Sequence, residues 1–172
     1  WDVAAVSDLD YAFYGAVAFD GDLRAWDVAR VTSMRYVFGR AESFEGGVES
    51  WDVSRVTSME HAFGRAKAFD GDLSKWDISG VQFLQFMFYY ADSFNGDVSR
   101  WNTANVISME SMFSYTNAFN QNLSQWNLTN VTSLLSMFRK ALSFNQSLCW
   151  DTKSILTEFM FQNSLGGSVG CA

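Results

Sequence analysis

A chain of 172 residues, 48% hydrophobic and 17% aromatic, is long enough to bury a substantial core. Its net charge of −7 argues against nucleic acid as a partner, because phosphate binding needs a basic face. No run approaches the roughly 18 consecutive apolar residues that a membrane-spanning helix needs.

The chain repeats from its first residue. Trp1, Trp26, Trp51, Trp76, Trp101 and Trp126 recur at a step of 25. A second column keeps the same step through Phe13, Phe38, Phe63, Phe88, Phe113 and Phe138, and a third through Phe19, Phe44, Phe69, Phe94, Phe119 and Phe144. Val6, Val31, Val56, Val81, Val106 and Val131 form a fourth, and Ala16, Ala41, Ala66, Ala91, Thr116 and Ala141 a small-residue fifth. Such self-similarity marks a repeat architecture, in which each unit is too small to bury its apolar face alone and stacks on its neighbours. The Trp and Phe columns are therefore the expected core.

One unit, residues 51–75, gives the expected elements in order. Trp51 and Val53 are two residues apart, the alternation of a short strand. Val56, Met59, Ala62 and Phe63 then fall on the stripe of a two-turn helix, with Thr57 or Ser58 as its cap and Glu60 at capping-box distance from Thr57. Residues 64–68 turn the chain, Phe69 enters the core, and Asp70-Gly71-Asp72 is a turn signal. The spacing predicts an α/β solenoid. Its seven or so coils each carry a short strand and a short helix, and a parallel β-sheet runs along one face. Strands about 4.8 Å apart give a rod on the order of 35 Å long.

Two domains follow: the repeat array over residues 1–148, holding six full units, and a C-terminal capping segment over 149–172. Trp150 falls one residue short of the expected 151, which marks the end of the regular array. Cys149 and Cys171 lie in that final stretch, at a spacing that fits no zinc or redox motif. A disulfide locking the cap is the functional reading and implies an oxidising compartment; two buried thiols are the plain alternative. The first coil has no cap of its own. Its unpaired strand edge is expected to be covered by other proteins or by further copies of the chain.

Several columns invite a chemical reading. Asp2, Asp27, Asp52, Asp77, Asn102 and Asn127 follow the tryptophans. A calcium ladder is one reading. The tolerance of Asn favours a structural Asp/Asn ladder that bonds backbone N–H groups at a turn on every coil. The turn column Asp20-Gly21-Asp22 and Asp70-Gly71-Asp72 decays to Glu45-Gly46-Gly47 and Asn120-Gln121-Asn122, unlike a repeated metal site. No metal centre or other cofactor is therefore expected, with calcium a minor alternative. His61 shares its column with Tyr11, Tyr36, Phe86, Ser111 and Ser136, and nothing in the pattern singles it out. No catalytic triad, phosphate-cradling loop or His/Cys cluster is present, so no enzyme activity is expected. Met34, Met59 and Met109 interchange with Leu9, Leu84 and Leu134, which is core filling.

The exposed positions change along the chain. Residues 26–75 mix both charge signs, whereas residues 101–150 carry few charges and much Asn, Gln, Ser and Thr. Candidate N-glycosylation sequons stand there at Asn122, Asn127, Asn130 and Asn145. Asn127 also belongs to the structural ladder, which makes it the least available.

The unit V-T-S-M-x-x-x-F-x-x-A-x-x-F-x-G-D-L-S-x-W-D-V-S resembles the BspA-like surface-protein repeat, a divergent leucine-rich-repeat relative of bacteria and unicellular algae. The match runs from Trp1 to about Cys149, with departures at Gln82-Phe83 and Ile107. The resemblance implies a secreted or surface-attached protein with a role in adhesion or protein–protein contact, and it carries no catalytic residues. Binding is expected on exposed variable columns such as Asp10, Arg35, Glu60, Gln85 and Glu110. Calcium or polysaccharide binding is the first alternative, and an accessory subunit of a large complex the second.

Overall fold

The computed structural model describes residues 1–170. Each 25-residue unit closes into one coil, and successive coils stack in register. The expected helix and strand are both absent. No helix forms among the described residues, and the two strands, β1 (Ser147–Leu148) and β2 (Ser168–Val169), are two residues each. The α/β solenoid with a parallel sheet along one face is thus corrected to a stack of turns.

The backbone of the third coil gives the reason. The amides of Ala62, Gly64 and Ala66 donate to the carbonyls three residues back, closing tight turns at 3.0 to 3.1 Å. The amides between them, on Met59, His61, Phe63 and Arg65, donate outward to Phe83, Gln85, Met87 and Tyr89 of the next coil at 2.6 to 3.1 Å. A helix would send every one of these amides back four residues within its own segment. Here alternate amides serve the neighbouring coil. The three-residue spacing of Val53, Val56, Met59 and Ala62 belongs to successive turns, and over so short a run it matches a helical stripe.

Two residues per coil adopt positive φ, which a helix excludes. His61 sits at 52° and Arg65 at 64°. The column of His61 repeats this at Tyr11, Tyr36, Phe86, Ser111, Ser136 and Phe159, and the column of Arg65 at Gly15, Arg40, Tyr90, Tyr115, Lys140 and Asn163. Each such non-glycine residue costs about 1–2 kcal/mol against the right-handed conformation. No β-branched residue occurs in either column, as the crowding at positive φ requires.

A sheet fails to form for a related reason. Coils meet through one isolated parallel bridge each, from Asp8–Ser33 through Ser33–Ser58, Ser58–Phe83, Phe83–Ser108 and Ser108–Ser133 to Ser133–Leu156. The chain enters its turns directly after each bridge, so no run of extended residues continues the ladder.

The core fills the interior of the stack. Phe38, Phe63, Phe88, Phe113 and Phe138 are fully buried, as are Phe44, Phe69, Phe94, Phe119 and Phe144. Within a coil the two rings lie face to face, 4.0 Å apart for Phe63 and Phe69 and 3.8 Å for Phe88 and Phe94. Between coils, Phe63 stacks on Phe88 at 5.7 Å. The two columns therefore interleave into one ring stack, each pair adding about 0.5–1.5 kcal/mol beyond area burial. The Trp column lines its flank. The indole N–H of Trp51, Trp76, Trp101 and Trp126 donates to the carbonyl of Leu23, Val48, Leu73 and Val98 respectively, at 2.9 to 3.1 Å. Where Thr116 replaces alanine in the core, its hydroxyl donates to the Phe88 carbonyl at 2.6 Å.

The end segment is a further coil, two residues shorter than the rest. The amide of Phe138 donates to Met160, 22 residues on, where equivalent bonds elsewhere span 24. Trp150 extends the Trp column, 6.5 Å from Trp126, and Phe161 stacks on Phe138 at 5.6 Å. The pairing of β1 with β2, Ser147 with Ser168 and Leu148 with Val169, closes this coil.

Candidate functional site

The positive-φ columns place side chains outside the core, one above another. Tyr11 stacks on Tyr36 at 4.7 Å, Tyr36 on His61 at 4.5 Å and His61 on Phe86 at 4.5 Å, with ring planes within 14°. These separations match the rise between coils, so the rings form a continuous ladder on the surface. Burial lowers the His61 pKa to about 4, assisted by the neighbouring Arg65 cation, so the imidazole is neutral at pH 7. Burial raises the pKa of Tyr36, and the adjacent Glu60 raises it further.

A second row runs beside the ladder. Tyr14 stands at right angles to it, 6.0 Å from Tyr36, and Tyr89 does the same 6.2 Å from His61. The intervening positions are Gly39 and Gly64. A Cβ at Gly39 would lie 2.8 Å from Tyr14 Cδ2, and one at Gly64 would lie 2.8 Å from His61 Nδ1. The two glycines open a slot of about 220 Å³ between Tyr14 and Tyr89.

Two guanidinium groups edge that slot. Arg40 lies 6.0 Å from the Tyr14 ring centre, and Arg65 lies 5.9 Å from Tyr89 and 5.0 Å from Tyr90. Among the described residues neither forms an ion pair; the pairs present are Arg24–Asp22, Arg35–Asp10, Lys67–Glu42 and Lys153–Asp151. Beyond Arg65 the same column continues through Tyr90 and Tyr115, stacked at 4.1 Å, to Lys140, 5.0 Å over Tyr115. Burial pushes the Tyr90 pKa up to about 12, with the Tyr115 hydroxyl as a second cause. The face is thus aromatic and cationic in a chain whose net charge is −7.

Residues 1–91 and 67–166 match the family described as "Mycoplasma protein of unknown function, DUF285". The chain belongs to this family. Neither the curated proteins nor the solved structures contain a match to it. The two DUF285 matches overlap within the array, as expected of a register that continues unbroken across them.

In the expected binding column of the DUF285 chain, Asp10 and Arg35 bond to each other. The Asp10 carboxylate accepts the Ser33 hydroxyl at 2.6 Å and the Arg35 backbone amide at 2.7 Å, and it lies 2.6 Å from the Arg35 guanidinium. Burial works to raise its pKa, but these bonds outweigh it and the net shift is downward. The aromatic and cationic face lies one, four and five positions further along each unit. Its signals in the sequence were the glycines at 39 and 64, in the column of Tyr14 and Tyr89, and the arginines that follow each of them.

The Asp/Asn ladder makes turns. Oδ1 of Asp2, Asp27, Asp52, Asp77, Asn102 and Asn127 accepts the backbone amide two residues on, at 2.9 to 3.2 Å. Hydrogen bonds from Ser54 and Ser79 hold the Asp52 and Asp77 pKa values below the usual range. The turn column bonds between coils: Oδ1 of Asp20, Asp70, Asn95 and Asn120 accepts the amide of Glu45, Asn95, Asn120 and Asn145. No group of three or more metal-ligating side chains is found among the described residues.

The four sequon asparagines are all exposed. Asn127 and Asn122 spend only their Oδ1 atoms on local turns, whereas Asn130 donates its amide nitrogen to the Ala104 carbonyl at 2.7 Å. The ladder position of Asn127 therefore leaves its nitrogen free. Cys149 is disulfide-bonded; Cys171 lies outside the described residues. No helix among the described residues is long and apolar enough to cross a membrane.

Proposed function

We propose that the chain is a non-catalytic interaction module of a secreted or cell-surface protein, with a role in adhesion. The observation that carries this is the outward ladder of Tyr11, Tyr36, His61 and Phe86 flanked by Arg40 and Arg65, two cations without carboxylate partners among the described residues. Half-buried aromatic rings beside Arg are the residue types that anchor protein interfaces. A face held by one hydrogen-bonded coil after another is rigid, so little ordering opposes binding. The disulfide at Cys149 supports an oxidising compartment. The likeness of the unit to the BspA-like repeat supports surface attachment.

Polysaccharide recognition is the second reading, favoured by the slot between Tyr14 and Tyr89. Either way, the face is tested by adsorption of fluorescently labelled protein to purified cell-envelope sheets. Substitution of Tyr11, Tyr14, Arg40, Arg65 and Tyr89 is expected to reduce adsorption at least tenfold. Equal substitution of positions outside this face, at Arg55, Ser74 and Ser99, is expected to leave it unchanged. The reverse pattern would overturn the assignment.

A further inference from the structure

We infer that the slot between Tyr14 and Tyr89 is a subsite for a single pyranose ring bearing a carboxylate or a sulfate, within an acidic polysaccharide. This rests on the proposal that the aromatic and cationic face is the binding face.

Three features of the slot select the ligand. Its volume of about 220 Å³ lies below the roughly 300–1,000 Å³ of drug-sized pockets, so it takes one ring and leaves the rest of a chain outside. Its walls are aromatic. Tyr14 leans over Gly39 from one side, and Tyr89 reaches back toward His61 from the other. The electron-rich faces of such rings attract the polarised C–H bonds on the flat side of a pyranose.

The third feature is charge. Arg40 and Arg65 occupy equivalent positions in consecutive coils, at φ 61° and 64°, so both guanidinium groups rise from the same side of the slot. Each offers a planar fork of donors that matches a carboxylate or sulfate, and neither is engaged by an acidic residue among the described ones. His61 beneath them is neutral at pH 7 and adds no competing charge.

An acidic peptide would satisfy the arginines but has no use for two ring walls around a gap of one sugar. The repeat supplies its own comparison. In the fifth and sixth coils the glycine positions are Ser114 and Arg139 and the arginine positions are Tyr115 and Lys140, so the slot exists only where both substitutions of the unit coincide.

The test is calorimetric titration of the intact chain with four probes: a hexamer of galacturonic acid, a sulfated hexasaccharide from heparin, neutral cellohexaose and a hexaglutamate peptide. At least one acidic sugar is expected to bind tenfold or more tightly than both cellohexaose and the peptide. Which acidic sugar binds identifies carboxylate or sulfate as the recognised group. Arg40→Gln with Arg65→Gln is expected to lower that affinity at least tenfold. Gly64→Tyr, which places in the slot a side chain the repeat already accepts at Tyr14 and Tyr89, is expected to abolish it with the thermal transition retained. Equal binding of the peptide, or acidic-sugar binding unaffected by Gly64→Tyr and by Tyr14→Ala, would overturn the subsite. If no sugar binds while envelope adsorption still depends on Arg40 and Arg65, the subsite falls and the binding face stands. If adsorption is also independent of them, both fall.

Discussion

The indole N–H of Trp76 donates to the carbonyl of Val48, 28 residues earlier and one coil below, at 3.0 Å. The tryptophan therefore packs within its own coil and caps the backbone of the preceding one. Trp76→Phe keeps a ring in the column and removes this donor, while the Val48 carbonyl keeps the Trp51 amide at 3.1 Å. The expected loss is about 0.5–1.5 kcal/mol, read from denaturant midpoints. An unchanged midpoint would mean that water replaces the indole.

The ring stack predicts a gradient along the chain. Phe88 is fully buried between coils, so Phe88→Ala is expected to cost about 3–5 kcal/mol. Phe13, in the same column, is only partly buried, and Phe13→Ala is expected to cost less than half as much. Equal losses in equilibrium denaturation would contradict a stack in which each ring is enclosed by both neighbours.

Positive φ makes a prediction of opposite signs at one residue. Ser111 sits at φ 52° with its side chain in no hydrogen bond among the described residues. Ser111→Gly removes the conformational cost and is expected to stabilise by up to about 1 kcal/mol. Ser111→Val adds a branched Cβ and is expected to destabilise by about 1–3 kcal/mol. Thermal melts of the two variants should bracket the parent.

His61 sets a pH dependence. Its ordinary pKa of 6.5 falls to about 4 in the folded chain, first through burial and then through Arg65. Between these values the unfolded chain binds a proton that the folded chain does not. The contribution is therefore fully present above pH 6.5 and is lost as pH falls through 4. His61→Tyr matches Tyr11 and Tyr36 and removes the titration. The variant is expected to show a flatter stability profile between pH 6.5 and 4, and parallel profiles would refute the assignment.

The Asp/Asn ladder predicts indifference to charge and to calcium. Asp52 Oδ1 accepts the Ser54 amide at 3.1 Å, a bond that an asparagine oxygen makes equally well. Asp52→Asn is expected to stay within about 0.5 kcal/mol of the parent, and Asp52→Ala to lose about 1 kcal/mol with the turn bond. Millimolar calcium is expected to leave the melting temperature unchanged; a rise would place the metal on this column.

Much of this was legible in the sequence. The Trp and Phe columns named the interior, because residues that recur at one step must occupy equivalent sites in stacked units. The Asn substitutions at positions 102 and 127 disclosed a ladder that needs an oxygen and not a charge. The local conformation was not legible. Val56, Met59, Ala62 and Phe63 suit a two-turn helix and a series of three-residue turns alike, and only the sign of φ at His61 and Arg65 separates the two. The strand expectation failed because each coil offers one bridge residue, such as Ser58, before the chain turns. The aromatic and cationic face was not legible either, since its marks are a missing side chain at Gly39 and Gly64 and a cation beside each.

The most direct measurement of the fold is NMR assignment of Val56 to Ala66, with Cα secondary shifts, amide-to-Hα couplings and contacts across coils. Left-handed signatures at His61 and Arg65, with ring contacts from Phe63 to Phe88, are the predicted result. A continuous helical run from Val56 to Phe63 would contradict the stack of turns.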